Sequence, residues 1–157
     1  MSHVEAVIGE LEHVKGQFLR AMANTPDDRI NWSPSSTART PIQLMAHSAY
    51  ALGFIRTMFA GTPYPAETTA IADAEFWEMD GNVRSREEAV VLFESKCEEM
   101  TTYLRGLSID EMDRLIDMPF KLGQAPLHAV IGVGAMHTRS HLAQLEYLQT
   151  IYGDRVW

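Results

Sequence analysis

The sequence has almost no cysteine, no excess of basic residues and no long apolar run. Cys97 is the only cysteine in 157 residues, which excludes an internal disulfide and favours an intracellular, cytoplasmic location. The formal charge of −8 argues against binding nucleic acid or an anionic membrane surface through a general electrostatic field. No stretch approaches the roughly 20 apolar residues of a membrane span. The N-terminal residues also lack the basic-then-apolar pattern of a signal peptide.

Apolar residues recur instead at helical spacing in long segments separated by polar connections. Four long helices are predicted, over residues 3–23, 41–60, 86–107 and 127–148. Thr40-Pro41 and the capping-box pattern that begins at Ser85 predict where the second and third helices start. These helices predict a single all-α domain over residues 1–157, a four-helix bundle. The predicted core comprises Leu11, Phe18, Met45, Leu52, Phe93, Leu104, Val130 and Leu145.

The connections between these helices differ in length. Residues 61–84 form a long connection, of a kind that is often functional, such as a lid, and Phe76 and Trp77 are expected to anchor it on the bundle. A short helix is predicted after Ser108, and irregular structure over residues 117–125.

Two histidines lie four residues apart in the last predicted helix. Residues four apart share a helix face one turn apart, so His137 and His141 can bind one metal ion together. Six histidines in a chain of this length make an accidental pair common, so the pair needs a third ligand. His47, on an apolar face of the second helix, can supply it, although a lone histidine there is also typical of a hydrogen-bonded core residue. His128 precedes His137 by nine positions and falls on the opposite face, which excludes it.

Three segments carry a resemblance to a known family. They are Trp32-Ser33-Pro34, Pro41-Ile42-Gln43-Leu44-Met45-Ala46-His47, and His137-Thr138-Arg139-Ser140-His141-Leu142-Ala143-Gln144. Over essentially its full length the chain resembles the DinB/YfiT-like metalloenzymes. The resemblance implies an up-down-down-up bundle with a long crossover between helices 2 and 3, and His47, His137 and His141 as metal ligands. Many members follow the last histidine with Arg-Gly-Gln, whereas this chain has Leu142-Ala143-Gln144 and so has no counterpart of that arginine.

Two functions from different classes are consistent with such a site. The resemblance implies a divalent-metal enzyme, a thiol transferase acting on a low-molecular-weight thiol such as bacillithiol or mycothiol, or a hydrolase. Zinc or nickel is the expected ion, with Fe, Mn or Cu as alternatives. Gln43 and Gln144 are candidates to orient the ligands, and no general base is identified near the pair.

The alternative is a non-catalytic bundle, metal-stabilised or metal-free, with a role in stress response or interaction. A homodimer is expected from the resemblance and from the apolar surround of the second helix.

Overall fold

The computed structural model describes residues 2–62 and 64–156, most of which are helical. The helices are α1 His3–Asn24, α2 Pro41–Phe59, α3 Thr69–Asp80, α4 Arg86–Arg105, α5 Leu127–Val130 and α6 Val133–Tyr152. A small antiparallel hairpin pairs β1 Leu115–Asp117 with β2 Gln124–Pro126, so that Ile116 lies opposite Ala125. None of the described helices is both long enough and apolar enough to cross a membrane.

Side-chain caps fix where the long helices begin. The hydroxyls of Thr40 and Ser85 each accept a hydrogen bond from the backbone N–H three residues later. The side chain at that third position returns a bond to the backbone of the cap, which completes a capping box. Both predicted helix starts are therefore confirmed. Ser2 caps α1 in the same way.

The helices α1, α2, α4 and α6 form the bundle, in which α1 and α2 each pack against both α4 and α6. The start of α4 lies at the end of α1, where the Arg86 guanidinium donates to the Met22 carbonyl at 2.6 Å. The ends of α6 and α1 lie together, because Gln149 Nε2 donates to the Ala21 carbonyl at 2.8 Å. Helices α1 and α6 are thus parallel to each other and antiparallel to α4.

Helix α2 runs parallel to α4. The backbone of α2 at Gly53 approaches the Lys96 side chain, and Arg56, one turn later, faces Glu99 of α4 at 3.7 Å. The topology is therefore up-down-down-up, as the resemblance implied, with the crossover between α2 and α4. The crossover contains α3, which packs against α2.

The core lies between the four long helices, and it confirms all of the predicted core residues except one. Leu11, Phe18, Met45, Leu52, Phe93, Leu104 and Leu145 are buried. The rings of Phe18 and Phe93 pack with their centroids 5.2 Å apart. Val130, in the short helix α5, is only partly buried, although it packs against this core. Each fully buried large apolar side chain contributes roughly 1.5–3 kcal/mol of transfer free energy.

Three segments differ from the sequence prediction. The 61–84 connection contains a helix, α3, started by the Thr68 hydroxyl cap. Residues 115–126 form a hairpin rather than irregular structure, and the predicted helix after Ser108 is a single 3-10 turn at Asp110–Asp113. The predicted helix over 127–148 is two helices, because the chain turns at Ile131-Gly132, where glycine weakens helix propensity.

Candidate metal centre

Three histidines from two facing helices converge near the middle of the bundle. His47 lies two turns into α2, and His137 and His141 lie one turn apart on α6. A ring nitrogen of each lies within 4.8 Å of the others. The Nε2 atoms of His137 and His141 are 3.1 Å apart, and the centroids of the His47 and His141 rings are 4.5 Å apart. The structure therefore brings together all three histidines that the sequence singled out.

The spacing and protonation of these rings fit a divalent ion. Nitrogen ligands at about 2.0–2.1 Å from a tetrahedral ion lie roughly 3–4 Å from one another. Burial lowers the pKa of His137 to about 3, with smaller contributions from the nearby His141 and His47. Burial likewise lowers the pKa of His141 to about 4. Both rings are therefore neutral near pH 7, which is the form that binds a metal.

Gln144 orients one of these rings. Its amide Oε1 lies 2.9 Å from Nδ1 of His141. An acceptor there places the ring proton on Nδ1, which leaves Nε2 with a free lone pair toward the other histidines. Gln43, the other predicted candidate, does not act in this way. Its Oε1 accepts from the Thr40 backbone N–H at 2.9 Å and belongs to the cap of α2.

Asp80 is a residue of the site that the sequence reasoning missed. It ends α3 and is fully buried, with Oδ2 at 3.3 Å from His47 Nδ1. The same oxygen accepts from Arg39 Nε at 2.7 Å. Neither Asp80 Oδ1 nor His47 Nδ1 has an aligned hydrogen-bond partner among the described residues. This carboxylate is therefore placed to accept the Nδ1 proton of His47 after a small rotation of the ring.

A second residue of α3 contacts the same histidine. Phe76 precedes Asp80 by four positions, so both lie on one face of α3. The Phe76 ring packs edge-on against His47, with the centroids 4.6 Å apart. The signal that could have found this face is the Thr68 cap followed by an aromatic residue and a carboxylate at helical spacing. Only a long connection is predicted from the sequence at these residues, with no helix.

Several other titratable side chains lie outside the site. His128 is exposed, with Nδ1 at 3.2 Å from Asp113 Oδ1, and His13 is exposed on α1. The ammonium of Lys15 faces Glu12 at 3.7 Å. Cys97 is buried in the core, and burial raises the pKa of its thiol to about 12, so it remains an unreactive thiol.

The fold and the histidine cluster define the class of this protein as an up-down-down-up four-helix bundle with a candidate metal centre. The chain belongs to the DinB superfamily, which it matches over residues 10–145. No curated protein matches the sequence.

Several solved structures share this fold. YfiT from Bacillus subtilis, described as a probable metal-dependent hydrolase with an unusual four-helix bundle topology, superposes with a TM-score of 0.77 at 19% identity, covering 96% of this chain and 87% of that one. A DinB-like protein from Bacillus subtilis gives 0.66 at 14% identity over 94% of this chain and 92% of that one. A mycothiol-dependent maleylpyruvate isomerase gives 0.71 at 14% identity, covering 90% of this chain but 60% of that one. At these identities, the likeness establishes the fold.

Proposed function

We propose that this protein is a metal-dependent enzyme that acts on a small molecule through a thiol or a water. In this proposal His47, His137 and His141 hold one divalent ion, zinc or nickel, and leave at least one coordination position open. A divalent ion so held lowers the pKa of a bound thiol or water and makes it a nucleophile near pH 7. The observation that carries the proposal is the convergence of three ring nitrogens within 4.8 Å, from two helices of the bundle.

The surrounding side chains position the histidines and exclude water. Gln144 holds the proton of His141 on Nδ1. Asp80 Oδ2 lies 3.3 Å from Nδ1 of His47, where it can accept the corresponding proton of that ring. Phe76 covers the His47 ring on the side of α3. Asp80 has no exposed surface and already bonds Arg39, so we assign it an orienting role rather than that of a general base.

The relatives of known structure support chemistry on a thiol or a water. YfiT is described as a probable hydrolase, and the isomerase uses mycothiol. This chain spans 60% of the isomerase, so we carry over only the dependence on a thiol, and neither the isomerisation nor its substrate. We propose a low-molecular-weight thiol as the co-substrate. A hydrolase, in which the same site activates a water instead, is the related alternative.

Metal content and thermal stability test the ligand assignment. Protein purified without a His-tag column should contain about one equivalent of a divalent metal, and chelation should lower its melting temperature, because a metal bound to the folded state stabilises it. His47→Ala and His141→Ala should each lose most of the metal and of the chelator effect. His13→Ala and His128→Ala should keep both. Full metal content and an unchanged chelator response in His47→Ala would show that the three-histidine site is wrong.

Cobalt substitution separates the enzyme from a non-catalytic bundle. An open coordination position predicts that an added thiol changes the visible spectrum of the Co(II)-loaded protein. A structural ion with a closed coordination shell would give a spectrum that neither thiol nor pH alters. The latter result would favour the metal-stabilised, non-catalytic alternative.

A further inference from the structure

An apolar cavity of about 260 Å³ opens beside the candidate metal centre. It lies between α2, the crossover and the hairpin, and the His137 ring forms part of its wall. Its other walls include Phe54, Tyr64, Phe76, Phe120 and Val133. None of the described lining residues carries a charged side chain. A ligand in this cavity would therefore lie directly against one of the three histidines.

We propose that this cavity binds an uncharged aromatic group of the substrate. The placement of the reacting atom, toward His137, rests on the function proposed above, whereas the binding of the ring does not. A ring fits by size, because an apolar cavity of about 150 Å³ already suffices to bind benzene. A charged group is disfavoured, because it would lose its hydration on entering the cavity. None of the described wall residues carries a charge that would compensate for this loss.

The walls themselves favour an aromatic ligand over an aliphatic one. Phe54 meets both Tyr64 and Phe76 edge-to-face, with centroids 5.2 and 5.5 Å apart. Phe120 meets Tyr64 edge-to-face at 5.6 Å. Rings arranged in this way present both edges and faces to the space between them, and each aromatic pair gains about 0.5–1.5 kcal/mol beyond its buried area. A further ring can join this cluster without displacing a polar partner.

The backbone that presents Phe120 is strained. Phe120 has φ 59° and ψ 29°, and Lys121 next to it has φ 60°. Two consecutive non-glycine residues in the left-handed region are uncommon, and such strain clusters at ligand clamps and active sites. In this hairpin the strained turn holds an aromatic ring against the cavity, rather than leaving it in solvent.

One rim of the cavity is polar, and this orients the ligand. Tyr64 is shared with a neighbouring cavity of about 400 Å³ whose walls include Glu67, Lys121 and Gln124. Burial and the nearby Glu75 raise the pKa of Tyr64 to about 12, so its hydroxyl remains a hydrogen-bond donor. We therefore expect the aromatic end of the substrate beside His137 and its polar end past Tyr64.

Binding of toluene to the chelator-treated protein tests the cavity without any metal. Toluene, followed by amide chemical shifts, should bind, and phenol should bind more tightly than cyclohexanol, which carries the same hydroxyl on a ring that is not aromatic. Val133→Phe should fill the cavity and weaken toluene binding at least tenfold. Val91→Phe, the same change at an exposed position on α4, should leave it unchanged. Phe120→Ala, in the hairpin, removes one wall and should weaken toluene binding even if Val133→Phe does not fold. Equal affinities for phenol and cyclohexanol, or unchanged toluene binding in Phe120→Ala, would overturn the proposal.

Thiol binding to the Co(II)-loaded protein then tests where the reacting atom lies. Phenylmethanethiol should perturb the cobalt spectrum at a concentration at least tenfold below that needed for 2-mercaptoethanol, and Val133→Phe should remove the difference. Equal affinities in the wild type would overturn the placement beside His137. If cobalt does not bind at all, the proposed metal-dependent function fails, while the toluene result still decides the cavity.

Discussion

Asp80 is a buried carboxylate held between a guanidinium and an imidazole. Residues that accept the second N–H of a metal-binding histidine fix its orientation, and losing one typically costs 10–100-fold in metal affinity. We therefore expect Asp80→Asn to weaken Zn²⁺ binding by about that factor, measured by competition with a chromophoric chelator. Asp73 gives a matched control, because it bonds the same Arg39 at 3.0 Å but has an exposed side chain. Asp73→Asn should change zinc affinity less than twofold, and equal losses in both variants would contradict the role of Asp80.

The histidines and Asp80 differ in how far sequence alone can find them. His137 and His141 follow from helix geometry, because a spacing of four residues places two side chains on one face wherever the helix lies. His47 needed the additional premise that the second and fourth predicted helices are neighbours. Asp80 lies 33 residues beyond His47 on a helix whose position depends on tertiary packing, and no local spacing connects them.

The two glycines near the start of α6 have different surroundings. A Cβ built on Gly134 would lie 3.0 Å from Leu52 Cδ2 and 3.5 Å from Met100 Cε, whereas one on Gly132 would meet nothing within 4 Å. Gly134→Val should therefore overpack the contact of α6 with α2 and α4, and lower the free energy of unfolding by about 1–3 kcal/mol. Gly132→Val should change it by less than about 0.5 kcal/mol. Urea denaturation of the two variants checks this, and similar losses in both would contradict the assigned close packing.

The elements that sequence predicted best are those with side-chain caps and a clear apolar stripe. Thr40 and Ser85 mark the starts of α2 and α4, and both starts agree with the structure. The hairpin was not predicted, because strands of three residues are too short to show an alternating pattern. The break at Ile131-Gly132 was missed as well, since the apolar spacing continues through it and only the glycine signals a turn.

At the scale of the whole molecule, periodicity identifies helices but not their neighbours. The up-down-down-up order came from the resemblance, and the contacts of Arg86 with Met22, of Gln149 with Ala21 and of Arg56 with Glu99 agree with it. Residues 1–157 as a single domain remain a prediction, which the packing of α1 against α6 supports, because it joins the two ends of the chain.

The expected homodimer is also a property of the whole molecule. The apolar surround of α2 does not support it, because α3, α4 and α6 of the same chain cover that helix. The expectation therefore rests on the resemblance alone. Sedimentation equilibrium at micromolar concentrations should give twice the 17.6 kDa mass of the chain. A single 17.6 kDa species at high concentration would refute it.

The pH dependence of stability follows from the two lowered histidine pKa values. In the unfolded chain His137 and His141 take up protons near pH 6.5, whereas in the folded metal-free protein they do so only near pH 3 and 4. The unfolded state thus binds more protons below pH 6.5, so the free energy of unfolding falls as the pH drops through that value, and this contribution levels off below the folded pKa values.

Between about pH 4.5 and 6, removing both histidines should reduce the proton uptake on unfolding by about two. Urea midpoints of the chelator-treated wild type and of the His137→Gln/His141→Gln variant, measured from pH 7.5 to 4.5, check this. The wild type should lose stability more steeply than the double variant as the pH falls. Parallel pH profiles for the wild type and the double variant would contradict the neutral state of these rings.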